Sequence, residues 1–270
     1  MKTGLVSITF RQLEPTEIIR LCIENNLEGI EWGSDVHVPP GDIAKASEVC
    51  ALTRAAGLKV AAYGSYYYLA GDAGKNNHTF DAVLESAVAL GAPVIRVWAG
   101  TKGSDTASEE DWQAVIADGR RIGELAARQG LKIAFEYHQG TLTDSTEAAV
   151  RLLGEIDHAA VGSFWQPPNG AELDYCCEGL EQVINLGKLE SVHAFHWWPG
   201  YKDRHPLATG ADRWKQYLSL VYEHEKETGY DERYVCLEFV KDDKPENLVD
   251  DAKTLNRLVA AIENEDEIIG

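Results

Sequence analysis

The feature that most constrains this chain is a regular alternation of short β-rich runs and longer amphipathic stretches along its 270 residues. Eight runs rich in Val, Ile, Phe, Tyr and Trp are separated by segments whose apolar residues recur at i, i+3, i+4 and i+7, as in helices. The predicted strands cover residues 4–10, 27–32, 58–64, 92–98, 131–138, 159–165, 191–197 and 234–239. Near-continuous apolar strands are typical of parallel strands covered by helices.

Helix-boundary signals agree with this alternation. Pro15 is placed to open the first helix, Asp144–Ser145 to cap the fifth, and glycines 57, 91 and 130 follow helix ends directly before strands. Eight strand–helix units without a linker rich in Pro, Gly or Ser predict an α/β fold, a (β/α)8 TIM barrel that forms a single domain over residues 1–270. An open doubly wound sheet is disfavoured, because no GxGxxG follows the first strand and no P-loop signature is present.

Charge and composition narrow the classes of partner. The chain carries 44 acidic and 25 basic side chains, a formal net charge of −19, which repels phosphate backbones and predicts no nucleic-acid partner. No run approaches the about 18 consecutive apolar residues of a membrane span, so no membrane partner is expected. The N-terminus lacks the apolar region of a secretory signal, and the odd count of five cysteines indicates reduced thiols. Together these features predict a cytoplasmic protein.

Ionisable residues gather at the carboxyl ends of the predicted strands, where barrel enzymes place their catalytic groups. Glu136 and Glu238 lie in the apolar runs AFEY and CLEF, where a carboxylate is costly to bury without a partner, and His196 ends the seventh strand. Two carboxylates and an imidazole suit a divalent cation such as Mn²⁺, Zn²⁺, Fe²⁺ or Co²⁺, and Gln166 could add a neutral oxygen. The alternative for each glutamate is an exposed ion pair. His193 is interpreted as a packed or hydrogen-bonded core histidine.

At these residues the chain resembles the xylose isomerase-like TIM-barrel superfamily, the sugar phosphate isomerase/epimerase group. The motifs are IEWG on the second strand, IAFEYH on the fifth, VHAFHWW on the seventh and YVCLEF on the eighth; their order and spacing carry the resemblance over essentially the whole chain. It implies a divalent metal, with Mn²⁺, Zn²⁺, Co²⁺ and Mg²⁺ all open, held by Glu136, Gln166, His196 and Glu238. Gln166 stands where the group has Asp. The site therefore has one negative charge fewer, which predicts weaker metal affinity.

The resemblance implies a metal-dependent carbohydrate isomerase or epimerase that moves a proton at the carbon next to a carbonyl through an enediolate, with Glu136 and Glu238 as the catalytic groups. A dehydratase or lyase acting on a keto-sugar or keto-inositol is an alternative. A non-catalytic sugar-binding barrel is another, motivated by Gln166. The related apurinic-site endonucleases are excluded by the net charge, by a fourth strand that ends VIRVWAG without a histidine, and by the missing Asp-His pair after the sixth.

The residues expected to bind a small-molecule sugar or polyol surround the same mouth. They are Glu31, His37, Tyr63, Trp98, His138 and Arg204. A loop-capping role is the alternative for His37, and an exposed or Asp203-paired side chain is the alternative for Arg204. The sequence after the eighth strand, VKDDKPEN, lacks a glycine-rich helix start, which favours a neutral sugar over a sugar phosphate. Because members of the superfamily often pair, a homodimer is an open expectation.

Overall fold

The computed structural model describes residues 1–72, 74–230 and 232–267 and contains a closed barrel of eight parallel strands. Two further short strands form a hairpin outside the barrel. The strands are β1 (Lys2–Val6), β2 (Gly29–Gly33), β3 (Lys59–Tyr68), β4 (Val94–Trp98), β5 (Lys132–Glu136), β6 (Val161–Trp165), β7 (Leu189–Ala194), β8 (His196–Trp197), β9 (Arg204–His205) and β10 (Tyr234–Leu237). Each barrel strand pairs with its neighbours in sequence order, and β1 pairs with β10 to close the ring. The predicted (β/α)8 barrel is confirmed.

Eight helices follow the barrel strands and cover the outside of the sheet. They are α1 (Pro15–Glu24), α2 (Ile43–Ala55), α3 (Phe80–Leu90), α4 (Glu109–Arg128), α5 (Thr146–Ile156), α6 (Leu173–Asn185), α7 (Ala211–Thr228) and α8 (Pro245–Glu267). Pro15 opens α1, and the Ser145 side chain caps α5 by accepting from the amide of Ala148, as the boundary signals predict. Gly91 ends α3 with a left-handed φ of 72°.

The barrel interior is layered because paired residues of parallel strands point to the same side of the sheet. Ala62, Val94, Ala134 and Phe164 form an apolar cluster inside the barrel. Two residues further along three of these strands, towards their carboxyl ends, the inward-facing residues are Gly64, Arg96 and Glu136. Apolar packing therefore fills the middle of the barrel, and charged side chains begin at the end where the helices start.

Two predicted strands end at least three residues earlier in the structure than the sequence pattern suggests. The first run, residues 4–10, contains β1 up to Val6 and then a 3-10 turn, Ser7–Phe10, whose four residues are all buried. The run 191–197 also divides, because β7 ends at Ala194 and His196 belongs to the β8–β9 hairpin. Both segments are as apolar as the strand before them, so the sequence pattern does not show where the extended backbone ends.

Further observations concern the thiols, the helices and the domain boundary. The five cysteines are free. Within the described residues, no helix combines the length and the hydropathy that are needed to cross a bilayer. The predicted domain extends to residue 270, but residues 268–270 lie outside the described part of the chain. The homodimer and the cytoplasmic location stay predictions.

Candidate active site

Five charged or titratable side chains meet at the carboxyl end of the barrel interior, and we call them the floor cluster. They are Glu31, Arg96, Glu136, His193 and Glu238. Each is at most 4% exposed. Strand register brings them together: Glu31 pairs with Ala62, Arg96 with Ala134 and His193 with Cys236, two residues before Glu238. Burying a charge is costly without a partner, so the cluster is stable only because its members form hydrogen bonds and ion pairs with one another.

Arg96 links two of the carboxylates. Its Nε donates to Glu31 Oε1 at 2.6 Å and its Nη1 donates to Glu136 Oε2, while Nη2 has no hydrogen-bond partner among the described residues. Gly64 provides the space for this arrangement: a Cβ there would lie 2.7 Å from Glu31 Oε1 and 2.8 Å from Arg96 Nη2. Burial alone would lower the pKa of Arg96, but the charges of Glu136 and Glu31 outweigh it and raise that pKa, so the guanidinium stays charged.

His193 connects the remaining members of the cluster. Its Nε2 donates to Glu31 Oε2 at 2.8 Å, and its Nδ1 lies 3.2 Å from Gln166 Oε1 and 3.6 Å from Glu238 Oε2. Burial alone would lower the pKa of His193, but the charges of Glu31 and Glu238 outweigh it and raise the pKa to about 9. The raised pKa favours the form of His193 that carries a proton on both ring nitrogens. The proton on Nδ1 is the one that a cation bound beside Glu238 would replace.

The orientation of Gln166 is fixed by the backbone of the preceding strand end. Its Nε2 donates to the carbonyl oxygen of Tyr137 at 2.6 Å, which turns Oε1 towards His193 Nδ1. An amide oxygen held in this way is a neutral acceptor beside the buried carboxylates. The structure thus brings three of the four expected metal ligands together: Glu136, Gln166 and Glu238.

The donor atoms in the floor cluster fit a divalent cation. One ligand atom from each of Glu136, His193 and Glu238 lies within 4.8 Å of the other two, and all three residues are buried. Two carboxylates and one imidazole form a common donor set for Zn²⁺, Mn²⁺ and related metals. The hydrogen bond from His193 Nε2 to Glu31 orients the ring as the outer carboxylate does in many metal sites.

The two ends of this cluster have opposite electrostatics. Burial, together with the charge of Glu136, raises the pKa of Glu238 to about 7. Burial would also raise the pKa of Glu31, but the charges and hydrogen bonds of His193 and Arg96 outweigh it and lower that pKa to about 2. Glu31 is therefore an anion at neutral pH, and it is bonded to two cationic partners, His193 and Arg96. Glu238 is the carboxylate whose pKa is close to neutral.

His196 does not lie with the two glutamates, and this corrects the sequence-based ligand set. Side chains alternate along a strand, so positions 193 and 196 cannot face the same side, and β7 ends before His196. His196 instead pairs with His205 across the β8–β9 hairpin, with ring centroids 5.9 Å apart. Burial and the positive charges of His205 and Arg213 lower its pKa. The histidine interpreted as a core residue, His193, takes the expected place, and it is also fully buried and hydrogen-bonded.

Three residues that were expected to bind substrate are engaged inside the protein. Glu31 is fully buried and both of its oxygens are bonded. Tyr63 is fully buried, and its hydroxyl donates to the carbonyl of Val38 at 2.7 Å. His37 bonds Ser7 Oγ at 3.0 Å and the Leu13 carbonyl at 3.1 Å, in agreement with its alternative role of holding a loop. None of these three residues lines the cavity above the floor cluster.

Above the floor cluster lies an open cavity of about 530 Å³. Glu136, Gln166 and Glu238 line its base, and His138 and Arg204 line its sides. Residues that complete the wall include Asp144, Asn169, Trp197, Tyr201 and Phe239. Trp98 is not among the lining residues, and its ring packs against that of His138 at a tilt of 45°, with ring centroids 3.9 Å apart. His138 Nδ1 donates to the Gln139 carbonyl at 2.7 Å, so Nε2 is the ring nitrogen left for a ligand. Of the expected substrate residues, His138 and Arg204 reach the cavity.

Sequence reasoning missed Arg96 and misplaced His193. Arg96 is the single charged residue in the strand VIRVW, and the criterion that selected Glu136 and Glu238, a charge inside an apolar strand, would have selected it as well. His193 could have been recognised from strand alternation, since Ser191 and His193 share the inward face with Tyr234 and Cys236 of β10.

Known proteins share this fold and parts of this sequence. A family described as xylose isomerase-like TIM barrel matches residues 19–258. A 3-dehydroshikimate dehydratase of Bacillus anthracis is 30% identical over 166 residues, which cover 58% of this chain and 59% of the relative. An inosose dehydratase of Geobacillus thermodenitrificans is 40% identical over 88 residues, 32% of this chain and 28% of that protein. The chain thus spans less than two thirds of the length of either relative.

A crystal structure of IOLI protein with a bound zinc atom superimposes with a TM-score of 0.74 at 15% identity and covers 97% of this chain and 99% of that one. At this identity the likeness concerns the fold, and epimerases are also among the solved structures that share it. Both of the relatives named above are dehydratases. They favour the alternative expectation, a dehydratase, over the isomerase or epimerase that the sequence motifs put first.

Proposed function

The chain belongs to the xylose isomerase-like TIM-barrel family, and from this premise we propose that it is a metal-assisted dehydratase that acts on a cyclic ketone bearing several hydroxyl groups. The observation that carries the proposal is the convergence of Glu136, His193 and Glu238 at the base of an open cavity that His138 also lines. The dehydratases among the relatives support the choice of reaction.

The proposed reaction removes water across two neighbouring carbons. A base takes the proton from the carbon next to the ketone, the C–H electron pair becomes a carbon–carbon double bond, and the hydroxyl on the next carbon leaves after it receives a proton. The products are an unsaturated ketone and one water, so protons and electrons balance without an oxidant or a reductant. The reaction needs a base, an acid and stabilisation of the negative charge that develops on the ketone oxygen.

Glu238 is the residue best placed to act as the base. Glu136 is held by Arg96 through one of its oxygens, whereas the contact of Glu238 with the rest of the cluster is His193 Nδ1 at 3.6 Å. A carboxylate that is less tightly engaged is the better proton acceptor, since taking the proton breaks fewer hydrogen bonds. Glu136 is therefore assigned to holding the cation, whereas Glu238 is assigned to proton transfer in addition to offering one oxygen to the cation.

His138 is assigned as the acid that protonates the departing hydroxyl. Its Nδ1 is bonded to the Gln139 carbonyl, and the ring rests on Trp98, so Nε2 is held in a fixed orientation at the cavity wall. An imidazole that is protonated on Nε2 delivers a proton to an oxygen within hydrogen-bonding reach. Base and acid thus come from different strand ends on one cavity.

The resident cation would be held by Glu136, His193 and Glu238, with the Gln166 carbonyl oxygen beside them. When bound, a divalent metal supplies Lewis-acid polarisation of the ketone oxygen, which acidifies the adjacent C–H. Arg96 balances the charge of the two glutamates that it contacts, Glu31 and Glu136, and keeps both in place below the substrate.

The test is product analysis of the purified protein with Mn²⁺ and inosose in deuterated water. We expect an unsaturated product that has lost one water. The Glu238→Gln variant should lower kcat by about 1,000-fold while far-ultraviolet circular dichroism stays unchanged. The exposed Glu246→Gln variant is the control with unaltered kcat. Solvent deuterium in the recovered inosose or in an isomer of it, without loss of water, would instead identify an isomerase or epimerase at the same site.

A further inference from the structure

The charges around the cavity are unevenly distributed. Among the described residues that line it, Arg204 is the one Lys or Arg, whereas Glu136, Asp144 and Glu238 are acidic. A bound divalent metal would compensate two of these negative charges. Arg204 is therefore the one side-chain cation among the described lining residues that could bind an anionic ligand. Whether it can do so depends on the contacts that its guanidinium already makes.

The Arg204 guanidinium is already occupied. Its Nη1 donates to Asp243 Oδ1, and its Cζ lies 4.6 Å from the ring centroid of Phe239 and 5.1 Å from that of Trp197. The aromatic rings fix the plane of the guanidinium and the carboxylate neutralises it. A substrate carboxylate or phosphate would have to displace Asp243 to reach Arg204.

Arg96 is no more available than Arg204. It is 1% exposed and lies below the cavity, with its charge shared between Glu31 and Glu136. A charged group of the substrate would thus meet no unpaired arginine among the described residues that line the cavity. Desolvating an anion under those conditions is unfavourable.

The polar groups of the wall suit hydroxyls instead. Asp144 Oδ2 accepts the Ser104 amide at 3.0 Å, but its buried Oδ1 has no hydrogen-bond partner among the described residues. An ionised carboxylate oxygen accepts from a hydroxyl and repels another carboxylate. The exposed amide of Asn169 and the rings of Trp197 and Tyr201 complete a wall of hydrogen-bonding groups and aromatic faces, a combination suited to the hydroxyls and C–H faces of a polyol.

Resting on the proposed function, we propose that the substrate is an uncharged polyhydroxy ketone and that the cavity excludes carboxylate- and phosphate-bearing analogues because Asp243 neutralises Arg204. The family relationship does not decide this point, since one relative is a dehydratase of 3-dehydroshikimate and another of inosose.

The experiment compares the binding of two probes by calorimetry with Mn²⁺-loaded protein: inosose, an uncharged cyclic polyol ketone, and 3-dehydroshikimate, a cyclic hydroxy ketone with a carboxylate. We expect inosose to bind at least about tenfold more tightly. The variant Asp243→Asn frees the charge of Arg204, so it should tighten 3-dehydroshikimate about fivefold and change inosose by less than about twofold. Raising NaCl from about 20 mM to about 300 mM should reduce that gain.

Asp242→Asn is the matched control. Asp242 and Asp243 both have positive φ, 59° and 49°, which Asn tolerates, and each variant removes one negative charge, but of the two only Asp243 is paired with Arg204 in the structure. The inference would be overturned if both variants had the same effect on the affinity for 3-dehydroshikimate. It would also be overturned if the unaltered protein bound 3-dehydroshikimate more tightly than inosose, or if it showed no saturable binding of inosose. The proposed function is scored separately by water loss: binding of inosose without dehydration refutes the reaction and leaves the charge selectivity standing.

Discussion

The floor cluster and the wall above it both contain an arginine bound to a carboxylate, but the two pairs lie in different surroundings. In the floor, the side chains of Arg96, Glu31 and Glu136 are at most 5% exposed. In the wall, the side chains of Arg204 and Asp243 are 26% and 47% exposed. Buried pairs lose much when one partner is removed, whereas exposed pairs contribute little. The floor therefore depends on its charges for the integrity of the barrel, and the wall can vary its charges to select a ligand.

The largest expected effect comes from breaking the buried pair. The variant Arg96→Met removes the cation that Glu31 and Glu136 share, so we expect the free energy of unfolding to fall by about 3–5 kcal/mol. The corresponding wall variant, Arg204→Met, should cost less than about 1 kcal/mol. Urea unfolding in the presence of EDTA measures both variants free of metal. Equal losses in the two would remove the distinction between floor and wall.

Acid should act on the floor through Glu31. Its folded pKa of about 2 lies below the ordinary value of 4.5, so its contribution to stability is complete above pH 4.5 and is lost as the pH falls towards 2. We expect this part of the free energy of unfolding to amount to about 3 kcal/mol. Urea unfolding of the metal-free protein at pH 6, 4 and 3, compared with Glu31→Gln, measures it. A variant with the same pH dependence as the unaltered protein would contradict the pairing.

A smaller effect is expected from the neutral amide at the base of the cavity. The variant Gln166→Asp adds a negative charge beside His193 and Glu238, and we expect Mn²⁺ to bind about tenfold more tightly. Asp144→Asn, which replaces a carboxylate by an amide at the wall, should alter the Mn²⁺ affinity less than about twofold. Calorimetric titration with Mn²⁺ measures both. An unchanged affinity in Gln166→Asp would show that the Gln166 oxygen is not near the cation.

The sequence was informative where regular geometry decides the outcome. Hydrophobic periodicity and helix-boundary residues predicted the barrel, and the cost of a charge in an apolar strand selected Glu136 and Glu238. The cost of a buried charge would also have selected Arg96, and the alternation of side chains along a strand would have placed His193 on the inward face. The error at His196 arose from placing the end of β7 three residues too late, and a one-residue change of register reverses the face of every side chain.

The wall could not be predicted in this way. Arg204 was selected as a residue of the loop after the seventh strand, but its partner Asp243 lies 39 positions away, in the segment after β10. Asp203, the partner considered from sequence, is adjacent in the chain. Contacts between two loops depend on the backbone conformation of each, such as the left-handed φ of Phe239 and Asp243, and no local sequence pattern specifies both.

The most direct test of the account is a calorimetric titration of Mn²⁺ and Zn²⁺ into metal-free protein and into two histidine variants. We expect one equivalent of metal to bind to the unaltered protein. Affinity should fall by about 100-fold or more in His193→Gln, because a ligand is lost, and change less than about twofold in His196→Gln. Loss of binding in His196→Gln with retention in His193→Gln, or no saturable binding of either metal to the unaltered protein, would contradict the assignment of the floor cluster as the catalytic centre.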